Sequence, residues 1–154
     1  PAFIAELAHW LSDGLILLLD YGFSRREYYA PERSSGTLRC YYRHRVHEDP
    51  LLWPGLQDIT AWVDFSQLAE AAVEAGLDVG GYTTQAHFLL AAGLESKVTE
   101  SAMSEPQQQA EQAHALRRLL MPGEMGEAVK AIALTKGQVK VPEGFSGRDM
   151  RSSL

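Results

Sequence analysis

One cysteine, Cys40, stands in a chain of 154 residues, so no internal disulfide forms and zinc held by several thiolates is excluded. A lone thiol fits a reducing compartment. Basic charge is scarce as well: 14 Lys and Arg against 20 Asp and Glu leave a net charge of −6. A nucleic-acid partner, which calls for a basic surface, is therefore not expected. Long apolar runs are missing. The longest, Leu15 to Leu19, falls far short of the roughly 20 residues that span a bilayer, and no basic region precedes an apolar one near the N-terminus. No membrane partner and a cytoplasmic location are the expectations. The chain also contains no P-loop, no serine-centred elbow and no glycine fingerprint for dinucleotides, and the pair Gly80 and Gly81 matches none of them.

What is present is an ordinary globular composition, with 45% hydrophobic and 22% charged residues. Phe3, Ile4, Leu7, Ala8 and Leu11 recur at helical spacing behind Pro1, and Gly14 closes that first helix. LILLLDYG then reads as a strand covered on both faces of a parallel sheet, which together with the helix points to an α/β architecture. Ser24 and Glu27 have capping-box spacing. Thr37 to Tyr42 is a weak strand, and Glu48 to Ala61, rich in proline and apolar residues, an irregular excursion. Asp64 caps a second helix that ends at Gly76, and Leu77 to Tyr82 is a weak strand. Thr83 or Thr84 opens a helix that stops at Gly93, and a long helix runs from Ser104 to Leu120. Val129 to Thr135 is the last strand, and residues 138–154, without periodicity, read as a surface tail.

Candidate chemistry is spread thinly. Asp20, Tyr21 and Gly22 close the buried strand, and ligands of open α/β sheets sit beyond strand carboxyl ends. Asp58 and Asp64 flank ITAWV and would add carboxylates able to hold a planar guanidinium. Each has a structural alternative: Asp20 and Gly22 shape a turn, Asp64 caps a helix and Asp58 anchors a loop. His44, His47 and Glu48 form no metal set with a helical frame, so no metal is expected, and His87 reads as a packed histidine. The stretch RCYYRHRVH from Arg39 to His47 reads as a solvated strand edge followed by a loop, with an RNA contact as its remote alternative.

LLLDYG, GTLRCYYRHR, DPLLWPGLQDITAWVDF, TQAHFL and MPGEMGEAVKAIAL, in that order from about Leu7 to Gly137, resemble the MidA family of S-adenosylmethionine-dependent methyltransferases, with DITAWVDF the most specific phrase. The resemblance implies the C-terminal part of a seven-stranded Rossmann-like fold in residues 1–137. Gly14 to Gly22 would be its fifth strand, residues 37–65 a substrate-side insertion, and Leu77 to Tyr82 with Val129 to Thr135 the terminal pair. It implies S-adenosyl-L-methionine as cofactor near Asp20, Tyr21 and Gly22, with Asp20, Asp58 and Asp64 catalytic and Thr60 and Phe65 on the substrate wall. The implied activity is methyl transfer to a protein arginine, located in the mitochondrial matrix if the source is eukaryotic. Two departures stand out. The glycine-rich loop and first four strands of the family are not in this sequence, so this chain alone is expected to be inactive and to need the N-terminal half or a homodimeric partner; and Ala128 and Val129 replace larger residues before Lys130. A non-catalytic interaction or assembly module on the same fold is the competing reading.

Overall fold

The computed structural model describes residues 2–100 and 105–154. Pro1 and Ser104, expected in the first turns of two helices, lie outside the described residues. In chain order the regular elements are α1 (Ala2–Trp10), β1 (Gly14–Phe23), α2 (Arg25–Tyr28), β2 (Arg39–Tyr42), β3 (Arg45–His47), β4 (Asp58–Thr60), β5 (Val63–Asp64) and α3 (Phe65–Glu74). There follow β6 (Asp78–Thr84), α4 (Gln85–Ala91), α5 (Leu94–Glu100), α6 (Pro106–Leu120), α7 (Met125–Ala128) and β7 (Val129–Lys136).

The main sheet has the order β5-β1-β7-β6. β7 is its centre: seven of its eight residues are buried, because β1 and β6 flank it and helices cover it. The sheet is mixed, not parallel. β1 runs antiparallel to β7 from Gly14↔Lys136 to Tyr21↔Val129, and its parallel contact among the described residues is the short bridge Gly22↔Val63 and Phe23↔Asp64. Residues 14–21 of β1 therefore pair with no strand on the side away from β7 among the described residues. Leu17 and Leu19 are exposed on a strand whose apolar run anticipates cover on both faces.

One apolar layer joins Ile4 and Ala8 of α1, Phe65, Ala69 and Ala72 of α3, and Leu77, Tyr82, Ile132 and Leu134. α1 stops at Trp10, and Phe3, expected on its buried face, points to solvent. α3 begins where Asp64 accepts the Gln67 N–H at 3.0 Å, the cap the sequence anticipates. α4 likewise begins at Thr84, whose hydroxyl accepts the His87 N–H and bonds the His87 ring.

Residues 138–154 are not a surface tail. Phe145 is 9% exposed and meets Phe88 of α4 edge-on at 5.0 Å, while the Met150 N–H donates to the Tyr82 carbonyl at 2.8 Å. A Cβ on Gly81 would stand 2.8 Å from the Phe145 Cβ, so the second of the paired glycines leaves the seat for that ring, next to a register shift between Val79 and Gly81. The segment lacks periodicity because it docks through single side chains, not through a repeating face.

The excursion after α2 folds into a second sheet, β3-β2-β4. Arg39 to His47 is thus a hairpin and not an edge with a loop. Its two-residue turn, Arg43 and His44, takes φ of 47° and 64°, the left-handed turn geometry that matches strand twist. Neither residue is the glycine or asparagine that marks such turns in sequence. Cys40 is fully buried on one face, where the 48–57 segment brings Trp53 to 4.7 Å from Tyr42 and 5.1 Å from His47.

Candidate active site

β1 delivers Asp20 and Tyr21 to the carboxyl end of the sheet, and the small sheet delivers Tyr41 and Thr60 opposite them. Together with Ala61 and Trp62 they line a cavity of about 440 Å³. Asp20 is exposed; one of its carboxylate oxygens accepts the Tyr21 N–H at 2.7 Å, and the other has no partner among the described residues. Tyr21 and Trp62 lie 6.2 Å apart. Asp58 pairs across the ladder with Tyr41 and shares its strand face with Thr60, two positions on. Thus Asp20, Tyr21 and Thr60 converge on one cavity, and Asp58 is not among the residues that line it.

Asp64 and Phe65 do not join them. The Asp64 side chain is 9% exposed, caps α3 and pairs with Arg25 Nε at 3.5 Å. Arg25 in turn grips Glu70 with two bonds of 2.7 and 2.6 Å, which raises the pKa of the guanidinium and lowers that of Glu70. A carboxylate already committed to a cap and to an internal guanidinium is not available to one from outside. Phe65 is fully buried, 5.4 Å from Tyr82, so its ring belongs to the core and not to a substrate wall. Gly22 is also buried: a Cβ there would run into the Val63 carbonyl and stand 2.6 Å from the Phe65 ring. Its role is to let β1 and β5 approach. Replacement of Asp64 by alanine should therefore cost about 0.5–2 kcal/mol of stability through the lost cap, readable as a lower urea midpoint, without weakening acceptor binding.

A second cavity, of about 360 Å³, also has Trp62 in its lining. Phe23, Glu27, Trp62, Thr84, Glu127 and Lys130 contribute to its lining, at the carboxyl ends of β1 and β6 and the amino end of β7. Phe23 stacks on Trp62 at 4.5 Å and carries the Arg33 guanidinium 3.7 Å from its ring centre. Lys130 is 5% exposed, donates to the Glu127 backbone carbonyl and lies 5.4 Å from the Phe23 ring. Burial, the largest effect, lowers its pKa, against the pull of Glu27 and Glu127. Burial likewise raises the pKa of Tyr82, with Glu27 and Asp64 adding to it, and its hydroxyl has no partner among the described residues. Sequence reasoning passed over Glu27, Trp62, Glu127 and Lys130. Glu27 reads as half of a capping box; in the structure the Ser24 hydroxyl donates to its carboxylate at 3.3 Å and neither side chain caps the helix backbone, while the others lie far apart along the chain. The signals available were Trp62 inside DITAWVDF and the lysine of AVK. Among the described residues no three His, Cys, Asp or Glu side chains group as a metal site, and no helix is long and apolar enough to cross a membrane.

A crystal structure of an uncharacterized protein from Burkholderia thailandensis shares 44% identity at a TM-score of 0.94 and covers 99% of this chain with 41% of its own. A second from the same organism, described as a probable methyl transferase bound to S-adenosyl-homocysteine, shares 42% identity at a TM-score of 0.90, over 99% of this chain and 40% of its own. The zebrafish Danio rerio protein arginine methyltransferase NDUFAF7, mitochondrial, is 34% identical over 115 residues, 74% of this chain and 25% of that protein. The rat protein of the same name is 32% identical over 88% of this chain and 30% of its own length. The chain thus spans between a quarter and two fifths of the proteins it matches. Residues 1–83, more than half the chain, match the family described as "Putative S-adenosyl-L-methionine-dependent methyltransferase", and the chain belongs to that family.

Proposed function

We propose that this chain supplies the acceptor-side wall of an S-adenosyl-L-methionine-dependent methyltransferase acting on protein arginine, and that the sequence its longer relatives add supplies the donor-side wall. The two walls together make the full-length protein. The observation that carries the reading is the cavity of Asp20, Tyr21, Thr60 and Trp62 at the carboxyl end of β1, beside a strand edge left unpaired over residues 14–21. On this reading β1, β6 and β7 are the C-terminal strands of a seven-stranded sheet, and the open edge receives the next strand.

The residues present fit part of the cofactor and not all of it. The free Asp20 oxygen accepts hydrogen bonds and the aromatic walls cover a flat or apolar group, but no glycine-rich loop lies among the described residues. When bound, S-adenosyl-L-methionine supplies an electrophilic methyl on a sulfonium. The work left to this chain is positioning: in-line displacement needs the nucleophile within about 3–3.5 Å and aligned, and effective molarities of well-held reactants are worth about 7–11 kcal/mol. A carboxylate that holds a guanidinium bidentately fixes which nitrogen faces the methyl and takes up the proton released as the N–C bond forms. The names of the NDUFAF7 relatives support arginine as the acceptor and the mitochondrion as the compartment in eukaryotes.

Calorimetric titration of S-adenosyl-homocysteine tests the division into two walls. Binding is expected with the full-length protein and not with this chain alone. Binding by the chain alone places the whole cofactor site within it, and binding by neither removes the methyltransferase reading.

A further inference from the structure

We propose that the small cavity lined by Arg33 and Arg39 is an acidic-residue subsite for the acceptor protein. It receives an Asp or Glu side chain two positions from the arginine that enters the cavity of Asp20. This rests on the methyltransferase reading and adds to it a sequence context for the acceptor.

The two cavities adjoin along one face of β2. Tyr41 lines the cavity of Asp20, and Arg39, two positions away on the same strand face, lines the small one. Thr60, the ladder partner of Arg39, lines the cavity of Asp20, and Trp62 lines both. Positions i and i+2 of a strand lie about 6.4–6.8 Å apart, and an extended acceptor repeats that interval. An arginine at the first cavity therefore carries a neighbour to the second. The walls of the small cavity are held in place. The Trp62 N–H donates to the Thr37 hydroxyl at 3.2 Å, which also bonds the Tyr28 hydroxyl, and the Arg33 guanidinium lies 3.7 Å from the centre of the Phe23 ring. A volume of about 170 Å³ is below the roughly 300–1,000 Å³ usual for small-molecule sites, so one side chain is what it fits.

Charge decides which side chain. No Asp or Glu lines the small cavity, in contrast with the cavity of about 360 Å³, where Glu27 and Glu127 stand with Lys130 and Arg148. From Arg33 to His47 the chain has four Arg and no Asp or Glu, although its net charge is −6. Neither guanidinium is used up within the chain. Arg33 donates from Nη1 to the Glu27 backbone carbonyl and forms no ion pair among the described residues. Arg39 uses Nη1 for the Leu38 carbonyl and for the exposed Glu48 at 3.2 Å, which leaves its Nε and Nη2 without a partner among the described residues. Asp58, on the same face of the small sheet, forms no ion pair among the described residues either. An exposed pair such as Arg39 with Glu48 contributes little, and it yields to a carboxylate that two planar forks can hold at once. The subsite therefore favours an acidic neighbour over an amide and repels a basic one.

The test uses the full-length protein saturated with S-adenosyl-homocysteine and titrated by calorimetry with three peptides, acetyl-Ala-X-Ala-Arg-Ala-X-Ala amide, in which X is Glu, Gln or Lys. The two X positions cover both chain directions. The Glu peptide is expected to bind saturably and about 10- to 100-fold more tightly than the Gln peptide, the worth of a charge-assisted contact, with the Lys peptide weakest. Arg39→Gln should bring the Glu-to-Gln ratio toward one and leave the affinity for the Gln peptide in place. Arg39→Glu should reverse the order so that the Lys peptide binds best, a result that a folding defect cannot produce. Equal affinity for the Glu and Gln peptides, an unchanged order in Arg39→Glu, or no binding of any peptide to a protein that still binds S-adenosyl-homocysteine overturns the subsite and leaves the methyltransferase reading in place. Weaker S-adenosyl-homocysteine binding by the Arg39 variants overturns it too, since the guanidiniums would then hold the carboxylate of the cofactor. Failure of the wild-type protein to bind S-adenosyl-homocysteine removes the methyltransferase reading instead.

Discussion

Phe145→Ala should lower the stability of the fold by about 3–5 kcal/mol, the range for deletion of a buried aromatic ring. A domain is stable by only about 5–15 kcal/mol, so this single change would leave the folded state marginal. The ring fills the space between Phe88 and the bare backbone of Gly81, and no side chain at position 81 can expand into the void, because Gly81 has none. Phe145→Leu should restore most of the loss. Chemical denaturation reads the effect. A change under about 1 kcal/mol would mean that residues 138–154 merely rest on the surface.

Gly22→Ala is expected to damage activity more than stability. The added methyl meets the Val63 carbonyl and the Phe65 ring, and Phe65 is locked in the core, so β5 is the element that yields. Val63 is the neighbour of Trp62, which lines both cavities. Overpacking of this kind costs about 1–3 kcal/mol of stability. A displacement of roughly 1 Å at the wall costs about 100-fold in rate, because the nucleophile and the methyl no longer align. The full-length protein carrying this change should bind S-adenosyl-homocysteine with nearly unchanged affinity and turn over about 100-fold more slowly. Wild-type turnover would show that the β1–β5 bridge does not position Trp62.

Which parts of this were readable in the sequence follows from how local each signal is. Asp64 capping α3 and Thr84 capping α4 each depend on three or four consecutive residues, and the apolar run of β1 needs no partner to be seen. The pairing of β1 is different, since periodicity reports that a strand is apolar and not whether its neighbour runs parallel or antiparallel. The hairpin turn escaped because Arg43 and His44 are unusual residues for φ above zero. At the site, Asp20, Tyr21 and Thr60 were reachable from strand ends and the family phrase, and the structure brings them to one cavity. Asp64 and Phe65 belong to the same phrase and serve the helix and the core, because a short motif alternates its side chains between the site and the interior. Glu27 and Glu127 lie a hundred residues apart in sequence, and only the fold makes them neighbours of one cavity.

The pairing of Gly14 with Lys136 also sets the order in which the polypeptide can mature. β1 is synthesised about a hundred residues before β7, the strand that closes its antiparallel ladder. Until then the Leu-rich strand lacks that neighbour, and contacts this distant in sequence are slow to form. Nascent chains halted before Val129 should therefore be a species that chaperones hold, and release should follow translation of the segment that seats Phe145.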